Sequence, residues 1–136
     1  MSGSQQQITA MVVDDERYFR RFVGELLHSQ GIAKAVEARD GNEALQMFPV
    51  VKPNLVILDI NMPRSDGFEV LRGIRAQAPA VPVVMLTSIA DEAVVEKCVD
   101  AGATYFIRKD VPAQDLSREL RELLHEFSDG SAAPES

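Results

Sequence analysis

Apolar and polar positions divide the chain into segments with two alternating periodicities. Five short apolar runs have the composition of strands, and the segments after them repeat apolar residues every three or four positions, as amphipathic helices do. The predicted strands are 8–13, 33–38, 55–59, 83–87 and 105–107, and the predicted helices are 16–29, 41–48, 67–77, 91–101 and 113–127. The polar ends, 1–7 and 129–136, are predicted to be disordered tails, and the second can also be the start of a linker.

The predicted strands differ in how apolar they are, and this difference predicts their order in a sheet. The first, third and fourth are almost continuously apolar, which is typical of central strands covered on both faces. The second carries Lys34 and Glu37 and the fifth is short, so both are expected at the edges. The alternation of strands and helices predicts an α/β fold over residues 8–128, a three-layer doubly wound (βα)5 domain with a parallel sheet of order 2-1-3-4-5.

Polar residues stand at the carboxyl ends of four predicted strands, where ligands bind in open α/β sheets. Asp14 and Asp15 follow the first strand, Asp59 ends the third, Thr87 ends the fourth, and Lys109 follows the fifth. Each has a simpler interpretation: helix caps for the first two, a turn residue, a strand residue and a solvated cation for the others. Together, they predict one site where strands 1 and 3 lie side by side.

Three carboxylates at one edge of the sheet would repel one another. Two like charges about 4 Å apart repel by about 4 kcal/mol at an effective dielectric of about 20, so this site needs a cation or a raised carboxyl pKa. Mg²⁺ is favoured because it takes oxygen ligands and binds beside phosphate. With the ammonium of Lys109 and the hydroxyl of Thr87, the site suits a phosphoryl group on a nucleophilic aspartate.

Composition and charge narrow the classes of function. The net charge of −7 argues against a nucleic-acid-binding surface, and no apolar run reaches the roughly 20 residues of a membrane span. The N-terminus lacks the features of a secretory signal. Cys98, the single cysteine, lies in a helical apolar pattern and is expected to be a small buried side chain. We therefore expect a cytoplasmic protein that binds neither nucleic acid nor membrane directly.

Four spaced motifs carry a resemblance to a known family: VVDDE (12–16), LVILDINMPRSDG (55–67), VVMLTS (83–88) and AGATYFIRK (101–109). From residue 8 to about 127 the chain resembles the receiver (phosphoacceptor) domain of two-component response regulators, and it is similar to the stand-alone, CheY-like receivers of chemotaxis. The resemblance implies a phosphorylation-dependent signalling switch that takes its phosphoryl group from a sensor histidine kinase or phosphotransfer protein. Such a domain is not an enzyme with a separate substrate, and catalyses only its own phosphorylation and dephosphorylation.

The resemblance also implies roles for the residues of the site. Asp59 would be the phosphoacceptor. Asp15, Asp59 and the backbone carbonyl of Asn61 would bind Mg²⁺ directly, while Asp14 would act mainly through bound water. Lys109 would contact the phosphoryl oxygens.

Further implied roles concern the switch and its readout. Thr87 would move toward the phosphoryl oxygens after transfer, and Phe106, the switch aromatic, would turn inward with it. The face of the fourth helix, fifth strand and fifth helix would then be read by a downstream protein or output domain, whose identity the sequence leaves open. Receivers often dimerise through the same face.

Two positions depart from the usual pattern of the family. Asp110 stands after Lys109 where Pro is usual, which leaves the shape of that loop open. Ile89, two residues after Thr87, offers no polar group to orient a water molecule, so the phosphate is predicted to last longer than in fast-resetting chemotaxis regulators.

Two other functions remain as alternatives. A phosphohydrolase of the haloacid dehalogenase type would need a second Asp two residues after Asp59, where Asn61 cannot act as a general acid. A degenerate receiver that only docks partners would lack the acceptor or the acidic pair.

Three arginines lie on the first predicted helix, Arg17, Arg20 and Arg21. They form either a solvated face or a docking surface for the phosphodonor.

Overall fold

Five parallel strands form one sheet in the computed structural model, which describes residues 8–88 and 91–128. The strands are β1 (Thr9–Val13), β2 (Lys34–Ala38), β3 (Leu55–Asp59), β4 (Val83–Thr87) and β5 (Tyr105–Arg108). The helices are α1 (Arg17–Ser29), α2 (Gly41–Val51), α3 (Gly67–Gln77), α4 (Glu92–Ala101) and α5 (Ala113–Ser128). The sheet order β2-β1-β3-β4-β5 confirms the predicted three-layer α/β fold. The predicted tails, 1–7 and 129–136, and Ile89 lie outside the described residues.

Each central strand sends alternate side chains to opposite faces of the sheet. Met11 and Val13 of β1 join a core with α2, α3 and α4, whereas Ala10 and Val12 join a second core with α1 and α5. All five residues of β3 and of β4 are buried. Covering on both faces explains why these strands read as continuous apolar runs.

The second helix is longer than the sequence predicted. The prediction ended it at residue 48, before Pro49, but α2 continues to Val51. A proline removes a single intrahelical hydrogen bond, and here it lies in the last turn. Lys52 then ends the helix in the left-handed conformation, with φ 51°, and its N–H donates to the carbonyl of Phe48 at 2.8 Å.

A small antiparallel hairpin directly after β3 was not predicted. Asn61 and Met62 pair with Ser65 and Asp66, in strands of two residues that are too short to leave a periodic signal. The chain then packs back so closely that a Cβ on Gly67 would lie 2.7 Å from the Cα of Ile60. This hairpin fixes the position of Asn61 beside the carboxyl ends of β3 and β4.

One guanidinium ties together the edge of the sheet opposite the carboxyl ends. Arg75 of α3 donates from Nε to the carbonyl of Gly102 at 2.9 Å and from Nη1 to that of Val81 at 2.6 Å. Its Nη2 donates to Oγ1 of Thr104 at 3.2 Å, and this oxygen also accepts the N–H of Val83. Gly102, with φ 95°, ends α4. The C-terminal end of α4 is therefore bound to α3 and to the starts of β4 and β5.

Helix α4 is the least buried of the helices whose side chains can be followed throughout. Cys98 is its one buried residue among those described, which confirms the prediction for this cysteine, and burial raises the pKa of its thiol. Val95 and Val99 are exposed on the outer side. None of the helices in residues 8–88 and 91–128 combines the length and the apolar character that a membrane crossing needs.

Candidate functional site

Three aspartates meet at the carboxyl ends of β1 and β3. Asp14, Asp15 and Asp59 each present a carboxylate oxygen, and these oxygens lie within 4.8 Å of one another. Asp14 and Asp59 are buried, with 0% and 1% of their surfaces exposed, whereas Asp15 is exposed. The strands are direct neighbours, which explains why acids 45 residues apart in the chain converge. The structure thus brings together the three acids that the sequence placed at this edge.

Neither Asp14 nor Asp15 caps the first helix, so the simpler interpretation of this pair is wrong. The N-cap residue of α1 is Glu16, and its side chain makes no capping hydrogen bond. Asp14 instead accepts the N–H of Glu16 on Oδ1 at 2.8 Å, while its Oδ2 faces Lys109. Its carboxylate is therefore held within the acidic site.

The ammonium of Lys109 lies among the carboxylates and is not a solvated cation. Its Nζ is 2.9 Å from Oδ2 of Asp14, 3.3 Å from Oδ2 of Asp59 and 3.1 Å from Oε1 of Glu16. It also lies 4.4 Å from the centre of the Phe19 ring. Glu16 was not among the predicted site residues, although it is the third acid after β1 in the VVDDE motif and lies at the same end of the strand.

Burial and charge shift the pKa values of these groups in opposite directions. Burial raises the pKa of Asp14 to about 6, against the lowering effect of hydrogen bonds from Lys109 and the N–H of Glu16. Burial likewise raises the pKa of Asp59, and the charge of Lys109 offsets part of this rise. Burial lowers the pKa of Lys109, but the neighbouring carboxylates outweigh it, so its pKa lies above the ordinary value.

Charge in the site is unbalanced. Asp14, Asp15, Glu16 and Asp59 contribute four carboxylates, and among the described residues one ammonium, that of Lys109, pairs with three of them. The donor atoms offered are all carboxylate oxygens, which suits a hard divalent cation. The acidic pocket can therefore hold a metal ion of this class.

Thr87 is more than an ordinary strand residue. It is fully buried at the end of β4, and its hydroxyl donates to Oδ1 of Asn61 at 3.2 Å. The backbone N–H of Ser88 donates to the same oxygen, also at 3.2 Å. The N–H of Asn61 in turn donates to Oδ1 of Asp59 at 3.2 Å. Asn61 thus connects the end of β4 with the acid at the end of β3.

Arg20 contradicts both interpretations of the arginines on the first helix. Only 7% of it is exposed. Its Nε donates to Oε1 of Glu37 at 2.9 Å, and its Nη1 donates to the backbone carbonyl of Asp14 at 2.8 Å. Arg20 therefore supports the strand end that carries the acids, whereas Arg17 and Arg21 are exposed.

The strand and loop around Lys109 are braced by an ion pair. Nε and Nη2 of Arg108 donate to Oδ1 and Oδ2 of Asp110 at 3.0 and 2.9 Å. Asp110 thus has a bonded role at the position where the family usually has Pro. Phe106, two residues before Arg108, is half-buried on β5.

The chain is similar in sequence to one part of several longer known proteins. A protein-glutamate methylesterase/protein-glutamine glutaminase of Pyrococcus abyssi is 36% identical over 125 residues, covering 90% of this chain and 33% of the relative. The transcriptional regulatory protein PdtaR of Mycobacterium tuberculosis is 33% identical over 122 residues, covering 90% of this chain and 59% of the relative. The chain thus spans between a third and three fifths of these relatives' lengths.

The structure also resembles solved receivers. It matches the chemotaxis protein CheY4 of Vibrio cholerae with a TM-score of 0.77 and 28% identity, covering 86% of this chain and 98% of that one. The sequence model of the response regulator receiver domain matches residues 10–121. These matches confirm the resemblance drawn from the four motifs and place the domain in two-component signalling. The chain belongs to the receiver domain family of response regulators.

Proposed function

We propose that this domain is a switch in which Asp59 accepts a phosphoryl group from a phosphohistidine on a sensor histidine kinase or phosphotransfer protein. A carboxylate oxygen of Asp59 would form a bond to phosphorus while the P–N bond of the phosphohistidine breaks. The electron pair of the P–N bond would stay on the imidazole nitrogen, which takes up a proton. The observation that carries the proposal is the setting of Asp59: a buried acid beside two further aspartates and the ammonium of Lys109.

The residues of the site fit Mg²⁺, because they offer oxygen donors and an excess of negative charge. Asp15, Asp59 and the backbone carbonyl of Asn61 would hold the ion directly, and Asp14 would act through bound water. When bound, the ion neutralises the carboxylates and the phosphoryl oxygens. Lys109 supplies a second positive charge, which helps to keep Asp59 ionised despite the rise that burial causes in its pKa.

The response to phosphorylation would start at Thr87 and Lys109. A phosphoryl group brings roughly two negative charges and strong acceptor oxygens to the site. Charge-assisted hydrogen bonds from Thr87 and Lys109 would then favour one of two packings of the neighbouring elements. Phe106, half-buried on β5, would turn further inward as Thr87 moves.

The face formed by α4, β5 and α5 is the surface that partners would read. Its support is the shallow packing of α4, which buries Cys98 while Val95 and Val99 stay exposed. Exposed acids flank the valines, at Glu92, Glu96 and Asp100. The reader would be a downstream protein or an attached output domain, and the same face would serve a dimer.

Intact mass after incubation with acetyl phosphate and Mg²⁺ tests the proposal. The wild-type chain should gain the mass of one phosphoryl group, and Asp59→Asn, which keeps the shape of the side chain, should gain none. Chelation of the metal should abolish labelling of the wild-type chain. Absence of labelling in wild type would favour a domain that only docks partners, and repeated turnover of small phosphate esters would favour a phosphohydrolase.

A further inference from the structure

We infer that the side chain of Asn61 holds the switch at rest by occupying hydrogen-bond donors that a phosphoryl group on Asp59 would need. This inference rests on the proposed function of Asp59. Oδ1 of Asn61 accepts both the hydroxyl of Thr87 and the backbone N–H of Ser88, each at 3.2 Å. The backbone N–H of Asn61 donates to Oδ1 of Asp59, so Asn61 bonds to the acceptor carboxylate through its backbone and to both donors through its side chain.

The competition follows from the number of hydrogens. A threonine hydroxyl carries one hydrogen and a backbone amide carries one. While Thr87 and Ser88 direct these hydrogens to Asn61, the same hydrogens cannot point at a phosphoryl oxygen. Phosphorylation therefore has to transfer the donors from the amide oxygen to the new anion.

The strengths of the two acceptors decide which of them takes the hydrogen bonds of Thr87 and Ser88. An anionic phosphoryl oxygen is a stronger acceptor than an amide carbonyl, so the donors move once Asp59 is phosphorylated. The bonds to Asn61 have to be broken first, and they lower the affinity of the site for the anion. Since Thr87 is fully buried, solvent water does not readily take the place of the amide oxygen of Asn61.

The position of Asn61 is fixed by the backbone of the hairpin, not by its own side chain. The hairpin pairs Asn61 with Asp66, and Gly67 lets the chain pack against Ile60. Asn61→Ala therefore removes the amide oxygen and leaves in place the backbone N–H that contacts Asp59. It also leaves the backbone carbonyl, which is the part of Asn61 proposed to bind Mg²⁺.

Equilibrium binding of beryllofluoride, a phosphoryl mimic that bonds to a carboxylate oxygen, tests the inference. In saturating Mg²⁺, Asn61→Ala should bind beryllofluoride about five- to a hundredfold more tightly than wild type, as expected for two lost competing hydrogen bonds. The affinity of each variant for Mg²⁺ alone is measured first, so that beryllofluoride binding is compared with the metal site saturated in every variant. Gln77→Ala, which removes an exposed amide at the end of α3, is the matched control and should leave the affinity for beryllofluoride unchanged.

A double-mutant cycle shows whether the effect passes through Thr87. In a Thr87→Val background the hydroxyl is absent, so Asn61→Ala should there gain markedly less affinity. Beryllofluoride affinity in Asn61→Ala that equals or falls below wild type, or a gain of the same size in the Thr87→Val background, overturns the inference and leaves the proposed function standing. A wild-type chain that binds no beryllofluoride in Mg²⁺ refutes the proposed function, and the inference with it.

Discussion

Replacing Asp14 with Asn should make the metal-free domain more stable, although it removes a predicted metal-binding group. Asp14 is completely buried, and its pKa rises from 3.8 to about 6 in the folded state. The fold therefore binds a proton on Asp14 more tightly than the unfolded chain does. This group stabilises the fold below about pH 4, and that contribution is lost as the pH rises through about 6.

The magnitude follows from the same pKa. Each tenfold change in proton affinity corresponds to about 1.4 kcal/mol, so ionised Asp14 costs the fold at most about 3 kcal/mol near neutral pH. Asn carries no charge, but its amide nitrogen would face Nζ of Lys109, now 2.9 Å from Oδ2. Lys109 keeps Asp59 and Glu16 as partners, so we subtract about 1 kcal/mol for the lost hydrogen bond. The expected gain in the free energy of unfolding is about 2 kcal/mol.

Urea unfolding in the presence of a metal chelator measures this gain. Asp14→Asn should exceed wild type by about 2 kcal/mol at about pH 7.5. At about pH 4 the difference should fall to zero or slightly below, because the cost of the charge is gone and the lost hydrogen bond remains. Asp40→Asn is the matched control, because Asp40 caps α2 by accepting the N–H of Glu43 and Asn caps equally well. A destabilised Asp14→Asn near neutral pH, or a gain that does not depend on pH, would refute the reasoning.

Three further predictions concern the surroundings of the site. Arg20→Ala should lower the free energy of unfolding by about 2–4 kcal/mol, because it leaves the carbonyl of Asp14 without its donor. Arg21→Ala, at an exposed position, should lower it by less than about 0.5 kcal/mol. Equal losses for the two variants in thermal or urea unfolding would contradict this prediction. Mg²⁺ affinity, measured by calorimetry, should fall by up to about tenfold per pH unit below about pH 6, because a proton on Asp14 opposes binding of the cation. A Mg²⁺ affinity that does not change between about pH 5 and 7 would show that Asp14 takes no part in binding. Phosphorylated Asp59 should outlast the seconds scale in a mass-spectrometric decay, and Ile89→Glu should shorten its lifetime; rapid loss from the wild-type chain would contradict the argument from Ile89.

Much of the fold follows from patterns that strands and helices leave in a sequence. The apolar runs of the three central strands predict burial on both faces, and Lys34 and Glu37 mark β2 as an edge strand. The rule that parallel strands share one carboxyl edge then places Asp14 and Asp59 near each other. These predictions depend on periodicity and topology, which are properties of whole segments.

Individual contacts were harder to predict, because they depend on where one side chain points. Arg20 and Arg21 are adjacent arginines on one helix, yet Arg20 is buried against Glu37 and Arg21 is exposed. Glu16 reaches Lys109 through a rotamer that spacing does not specify. The contact between Asn61 and Thr87 requires the hairpin, whose strands of two residues are too short to be read from the sequence.

The cluster of hydrogen bonds around Arg75 determines how α4 can move. Because the guanidinium grips Gly102 and the chain before β4 and β5, a reorientation of α4 has to be a swing about that anchored end. The helix has ten residues and is about 15 Å long, so a tilt of about 10° displaces its free end by roughly 2–3 Å and its anchored end hardly at all. The N-terminal end of α4, at Glu92, would then be displaced most. A partner bound at that end would respond to a rotation that hardly changes the position of the end bonded to Arg75.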